Sequence, residues 1–149
     1  MFEKGDDPLK KFVMRTFLRL HTALYRLSNG KIGGNMGDNK ILLLNSIGRK
    51  SGKERVSPLA YIEDNGRYIL TASNGGGPNH PGWYYNLLNT PNVTIEVMGK
   101  TINAMAKMAE GAERNRLWEK LTANFDQFRQ YQEKTDRTIQ MFILTPEQL

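Results

Sequence analysis

The tightest constraint on this chain is how little sequence separates its strand-like segments. Val56 to Glu63 and Arg67 to Ser73 are joined by Asp64-Asn65-Gly66, and Val93 to Met98 and Ile102 to Met108 turn at Gly99-Lys100. A parallel pair needs a crossover of a dozen or more residues, whereas an antiparallel hairpin closes in two or three. With Lys40 to Ser46 before them and Ile139 to Leu144 after them, these segments predict an antiparallel sheet. Helical periods flank and interrupt it. Asp7 can cap a helix that Pro8 opens, and Leu9, Val13, Phe17, Leu20, Leu24 and Leu27 then form one apolar face up to Ser28-Asn29-Gly30. Pro81 to Leu88, capped by Asn79 or His80, reads as a short helix. Ala112 to Asn124 reads as a longer one, with Leu117, Leu121 and Phe125 on one face. This order predicts a single α+β domain over residues 1–149, its antiparallel sheet closed into a small barrel, with residues 1–30 as an N-terminal amphipathic helix.

Composition removes several chemistries. The chain has no cysteine, which excludes disulfides, thiolate zinc sites and cysteine nucleophiles. His21 and His80 are isolated from any carboxylate cluster, so no metal site is expected, and no coherent Ser/His/Asp arrangement stands out. The longest purely aliphatic run, Ile41 to Leu44, is far short of the ~20 residues of a membrane-spanning helix. Met1 to Asp7 lacks the apolar core of a secretory signal, so the cytoplasm is the expected location. The net charge of +6 suits nucleic acid, an anionic membrane, an acidic small ligand, or no partner at all. Nucleic acid is disfavoured, because cations and aromatics do not interleave along one segment. The first helix carries Lys10, Lys11, Arg15, Arg19 and Arg26 around its apolar face. It either packs that face on the domain or lays it on a membrane surface.

Four segments are candidates for chemistry. In Gly48-Arg49-Lys50-Ser51-Gly52-Lys53-Glu54-Arg55, glycines let the backbone turn while Arg and Lys side chains grip an anion. In Thr71-Ala72-Ser73-Asn74-Gly75-Gly76-Gly77-Pro78, small residues at a strand end admit a flat ring close to the backbone, with Ser73 and Asn74 able to bond its edges. Pro81-Gly82-Trp83-Tyr84-Tyr85-Asn86-Leu87 offers aromatic walls and one amide. Phe125, Phe128 and Tyr131, three apart, share a face if the helix continues through them. Each segment also has a plain structural reading as a solvated loop, a flexible turn or core packing.

Together the segments are more specific. Asn45 to Tyr61, Ala72 to Gly76, the Pro81-x-Trp83-Tyr84-x-Asn86-Leu87 pattern, Pro91-Asn92-Val93 and Thr135-Asp136-Arg137-Thr138-Ile139 resemble, in order and spacing, the deazaflavin (coenzyme F-420)-dependent nitroreductase and quinone reductase family. The resemblance spans residues 33 to 145. It implies a split β-barrel related to flavin-binding oxidases and an 8-hydroxy-5-deazaflavin coenzyme, F-420, with a phosphodiester and a polyglutamate tail. It further implies that Arg49, Lys50, Ser51 and Arg55 meet the phosphate and tail. Ser57, Pro58, Ser73, Asn74, Trp83, Tyr84 and Asn86 would surround the ring system.

By the same resemblance, a hydride passes from the reduced coenzyme to an organic acceptor in a pocket formed by Phe125, Phe128 and Tyr131, with Tyr131 or Ser73 as hydrogen-bond donor. A well-known nitroreductase of the family has lysine at the position of Asn74 and tyrosines at those of Phe125 and Phe128. The apolar replacements favour a quinone over a nitroaromatic acceptor. Quinones partition into lipid, which fits a peripheral position of the first helix at the inner face of the cell membrane. The alternatives are a flavin mononucleotide oxidase on the same barrel and a non-enzymatic deazaflavin carrier.

Overall fold

The computed structural model describes residues 8–36 and 39–147. The cap expected of Asp7, the leader reading of Met1 to Asp7, and Gly37 and Asp38 lie outside them. Along the chain run α1 (Pro8–Leu27), β1 (Asn35–Met36), β2 (Asn39–Ile47), β3 (Glu54–Asp64), β4 (Arg67–Thr71), α2 (Gly82–Asn89), β5 (Asn92–Val97), β6 (Lys100–Met108), α3 (Gly111–Asn124), α4 (Gln127–Glu133) and β7 (Met141–Pro146). A 3-10 turn, Asn74–Gly76, lies between β4 and α2.

All strand pairs are antiparallel, in the order β1-β2-β3-β4-β7-β6-β5, and β5 pairs back onto β2. The six strands β2 to β7 therefore close a barrel, with β1 as a short flap on β2. The closure is incomplete along one seam. β3 pairs with β2 from Glu54 to Tyr61, but with β4 only from Tyr61 to Asp64. Residues 54 to 60 thus form a strand edge inside a closed architecture. Pro58 sits in that edge, where a residue without an N–H is tolerated.

Side-chain alternation explains the apolar runs. Leu70, Phe142 and Leu144 point into the barrel core with Leu42, Leu44, Ile95 and Ala104. Their neighbours Ile69, Met141 and Ile143 face outward into a second core with Leu117, Leu121 and Phe128 beneath α3 and α4. Strands buried on both faces read as continuous rather than alternating hydrophobic sequence. A buried carboxylate fastens α3 to the β3–β4 turn. Asp64 accepts two bonds from Arg116, at 2.9 Å each, and further bonds from Arg67 and Lys120. These cations, Arg116 first, hold its carboxyl well below the usual range.

Several local expectations need correction. The β5–β6 turn is centred on Met98 and Gly99, one residue earlier than expected, and both have the positive φ that a tight hairpin turn requires. Helix α2 has Pro81 at its cap and no side-chain cap bond, so neither Asn79 nor His80 fills that place. The aromatic stretch is not one helix, because the backbone breaks at Phe125 (φ −136°, ψ 82°) before α4 starts.

The largest surprise is α1. The face formed by Leu9, Val13, Phe17, Leu20 and Leu27 is more than half exposed at every position. The helix is fastened to the barrel through other residues near its C-terminus. The Tyr25 hydroxyl donates to the Glu96 carbonyl and accepts the Met98 N–H, both at 3.0 Å. Arg26 pairs with the Glu96 carboxylate at 2.8 Å, and His21 bonds the Gly33 carbonyl. Gly30 makes this approach possible, since a Cβ there would stand 2.8 Å from Met98 Cα. Among the described residues, no helix is long and apolar enough to cross a membrane.

Candidate functional site

A groove of about 820 Å³ runs over the free edge of β3, a size suited to a small ligand or coenzyme. Val56 to Ala60 form its floor, and its two ends differ in chemistry. At one end lies the Gly48–Arg55 loop. At the other lie Thr71, Ser73, Asn74 and Gly75, with Gln127, Phe128 and Tyr131 of α4, and Leu18 of α1 also lines the groove. At ~3.3 Å per residue, Arg55 and Ala60 place these ends roughly 16 Å apart.

The basic loop is a formed hairpin. Gly48 donates its N–H to the Lys53 carbonyl at 2.7 Å, Gly52 donates to the Gly48 carbonyl at 2.8 Å, and the Lys53 N–H reaches Ser51 Oγ at 3.2 Å. A Cβ on Gly48 would stand 2.7 Å from Ser51 Oγ, so a side chain there would displace the Ser51 hydroxyl from its bond to the Lys53 N–H. Helix α2 anchors the loop from beneath. Buried Asn86 accepts the Arg49 N–H and bonds Ser46 Oγ, while the Arg49 guanidinium stacks 4.4 Å above the Tyr85 ring. Among the described residues, none of Arg49, Lys50, Lys53 and Arg55 has a carboxylate within ion-pair distance. Four unpaired cations around one short hairpin present a site for a polyanion.

The opposite end offers a few hydroxyl and amide groups in a mostly apolar setting. Phe128 is buried and meets Tyr131 edge-on at 5.7 Å between ring centroids. The hydroxyls of Ser73 and Tyr131 and the amide of Gln127 have no hydrogen-bond partner among the described residues, so they are available to a ligand. Asn74 is partly committed, since its Nδ2 donates to the Asn79 carbonyl at 3.0 Å.

The groove gathers Arg49, Lys50, Ser51, Arg55, Ser57, Pro58, Ser73, Asn74, Trp83, Asn86, Phe128 and Tyr131. Two expected residues lie outside its lining. Tyr84 stacks on His80, with centroids 4.0 Å apart and planes at 9°, and packs against Phe142. Phe125 turns into the core beneath α3 and α4. Its removal from the pocket follows from the backbone break that ends α3. Sequence reasoning also missed Leu18 and Gln127. A lone Gln at a helix start reads as solvated surface, and no local signal brings α1 to this groove.

A family model described as "F420H(2)-dependent quinone reductase" matches residues 17–146. The chain belongs to this family of oxidoreductases. An F420H(2)-dependent quinone reductase of Mycobacterium tuberculosis is 38% identical over 141 residues, covering 92% of this chain and 95% of the relative. Among solved structures, an F420-H2 dependent reductase superposes with a TM-score of 0.64 at 40% identity, over 70% of this chain and 92% of that one. A structure described as a domain-swapped dimer gives 0.67 at 36% identity, over 87% and 98%. A pyridoxamine 5'-phosphate oxidase from Listeria innocua gives 0.52 at 13% identity over 72% and 84%, a likeness of fold alone. The family makes F-420 the coenzyme, and the residues present fit it. An unpaired cationic hairpin suits its anionic tail, and a free strand edge leaves backbone groups open to a planar ring.

Proposed function

We propose that this protein reduces quinones with a hydride taken from reduced F-420. The observation that carries the reading is the polarity of the groove, with the unpaired cations Arg49, Lys50 and Arg55 at one end and an apolar aromatic end roughly 16 Å away. Arg49, Lys50, Ser51 and Arg55 hold the phosphate and polyglutamate tail. Ser57, Pro58, Asn74, Trp83 and Asn86 border the ring system. Tyr84 supports that wall from behind, through His80 and Phe142. The bound coenzyme supplies the hydride, and the protein supplies orientation and charge placement. Ser73 and Tyr131 donate hydrogen bonds to the acceptor oxygen where negative charge develops. Phe128 offers the acceptor an apolar wall without a donor, which favours quinones over nitroaromatics.

The acceptor reaches the groove from a membrane. Residues 8 to 27 hold five cations and no carboxylate, and the exposed apolar face of α1 lies outside the contacts that fasten it to the barrel. Each cation near an anionic surface contributes about 1 kcal/mol, so binding is weak, reversible and salt-sensitive. Because Leu18 of the same helix lines the groove, a helix lying on the cytoplasmic leaflet holds the groove close to lipid.

Titration of the purified protein with F-420 and with flavin mononucleotide, followed by quenching of Trp83 emission, tests the coenzyme. F-420 should bind much more tightly, and equal or tighter flavin binding overturns the reading. Turnover of menadione with reduced F-420 separates an enzyme from a carrier, which would bind the coenzyme without reducing the quinone.

A further inference from the structure

The segment between α4 and β7 holds an arginine that makes no ion pair among the described residues. Arg137 Nε–H donates to the Gly77 carbonyl at 3.0 Å, Nη1–H to the Ala72 carbonyl at 3.1 Å, and Nη2–H to the Ser73 carbonyl at 2.8 Å. Nη1 also stands 3.2 Å from His80 Nδ1. Burial and the nearby Arg137 charge hold His80 below its ordinary range, which keeps that nitrogen an acceptor. One guanidinium thus gathers the whole strand-end loop from Ala72 to Gly77.

The loop needs such a hold. Asn74, Gly75 and Gly76 all have positive φ, at 46°, 62° and 81°, a conformation that the glycines adopt freely but that costs Asn74 free energy unless its surroundings impose it. Ser73, at the N-terminal end of the 3-10 turn, makes no side-chain cap bond. On its other side the loop presses against α4, where a Cβ on Gly76 would stand 2.8 Å from the Tyr131 carbonyl oxygen. The position of Ser73 relative to Tyr131 therefore depends on how far the loop is drawn back from the groove.

We propose that Arg137 is a positioning residue for hydride transfer: by holding the Ala72, Ser73 and Gly77 carbonyls it sets the Ser73 hydroxyl against the acceptor end of the groove. The proposal rests on that end being where the acceptor is reduced. Lysine is a poor substitute, because a point charge on a flexible stem cannot satisfy three divergent carbonyls at once. Arg137 makes none of its hydrogen bonds to the cationic hairpin, so its effect should fall on turnover rather than on attachment of the coenzyme tail.

The test compares wild type with Arg137→Lys and Arg137→Gln, each alone and combined with Ser73→Ala. Hydrogen exchange of the coenzyme-free protein should show amides 73 to 77 exchanging about ten-fold faster in both Arg137 variants, with the strand amides of β4 and β7 unchanged. With reduced F-420 and menadione, kcat should fall roughly ten-fold while coenzyme affinity stays within about two-fold. That loss should shrink markedly in the Ser73→Ala background, because residues acting through one another are not additive. Unchanged exchange of the loop overturns the proposal, as does a kcat loss that adds fully to that of Ser73→Ala. A fall in melting temperature with neither effect identifies Arg137 as merely structural. The exchange experiment needs no coenzyme, so a wild type that fails to bind F-420 sinks the proposed function without being mistaken for a failure of the loop argument.

Discussion

Asn86 Oδ1 accepts the backbone N–H of Arg49 at 3.0 Å, so an amide on α2 holds the cationic hairpin in place. Asn86→Leu removes that acceptor and the bond to Ser46 while filling similar space. Coenzyme affinity should fall by about 1–2 kcal/mol, the scale of a buried hydrogen bond lost from one partner. Titration by Trp83 emission measures it. Unchanged affinity in a folded variant would show that the hairpin needs no support from α2.

Lys50 carries charge without such a structural duty. Lys50→Ala should weaken F-420 binding roughly ten-fold at low salt, and the difference should narrow as salt rises, because exposed charges are screened. Its melting temperature should stay at the wild-type value. A loss of affinity independent of salt would contradict an electrostatic role.

Asp64 governs stability rather than binding. Its folded pKa is lowered by Arg116, Arg67 and Lys120, so the folded state binds fewer protons than the unfolded state. The resulting stabilisation is present above the ordinary carboxylate pKa of about 4 and is lost as pH falls below it. Asp64→Asn should cost about 2–4 kcal/mol at neutral pH, discounted for the partly exposed cations. Urea unfolding between pH 7 and pH 3 should show a shallower acid decline in the variant than in wild type. Parallel declines would refute the assignment.

The barrel was legible because its hairpins are short and its turn residues specific. Asp64-Asn65-Gly66 marks a turn that the structure contains, and Gly48 to Arg55 is the hairpin its glycines suggest. The incomplete seam was not legible, since nothing in Glu54 to Ala60 shows that β4 stops pairing at Tyr61. Phe125 misled because equal spacing implies a shared face only while the helix continues. The apolar stripe of α1 was read correctly as a stripe, but the contacts that fasten the helix come from Tyr25, Arg26 and His21, which break its simple pattern.

That exposed stripe makes a prediction about partners. Phe17→Glu with Leu20→Glu should abolish sedimentation of the protein with phosphatidylglycerol-containing vesicles and leave menadione turnover in solution unchanged. Vesicle binding unaffected by both changes would overturn the membrane reading. Loss of a dimer on analytical ultracentrifugation, with no vesicle binding by wild type, would assign the stripe to a second copy instead.

Phe128→Tyr should place a hydroxyl at the aromatic end of the groove. Relative kcat/KM for menadione over a nitroaromatic should fall, because the new donor can polarise a nitro group. No change in that ratio would mean that Phe128 does not face the acceptor.

The unpaired half of β3 bears on how a flat ligand is recognised. From Glu54 to Ala60 the strand pairs with β2 alone, so part of its main chain presents donors and acceptors toward the groove. Recognition through peptide groups is indifferent to which side chains the strand carries. The floor of the site can therefore bond the edge of a planar partner through its peptide groups, while Ser57 and Pro58 shape the surface on which that partner lies.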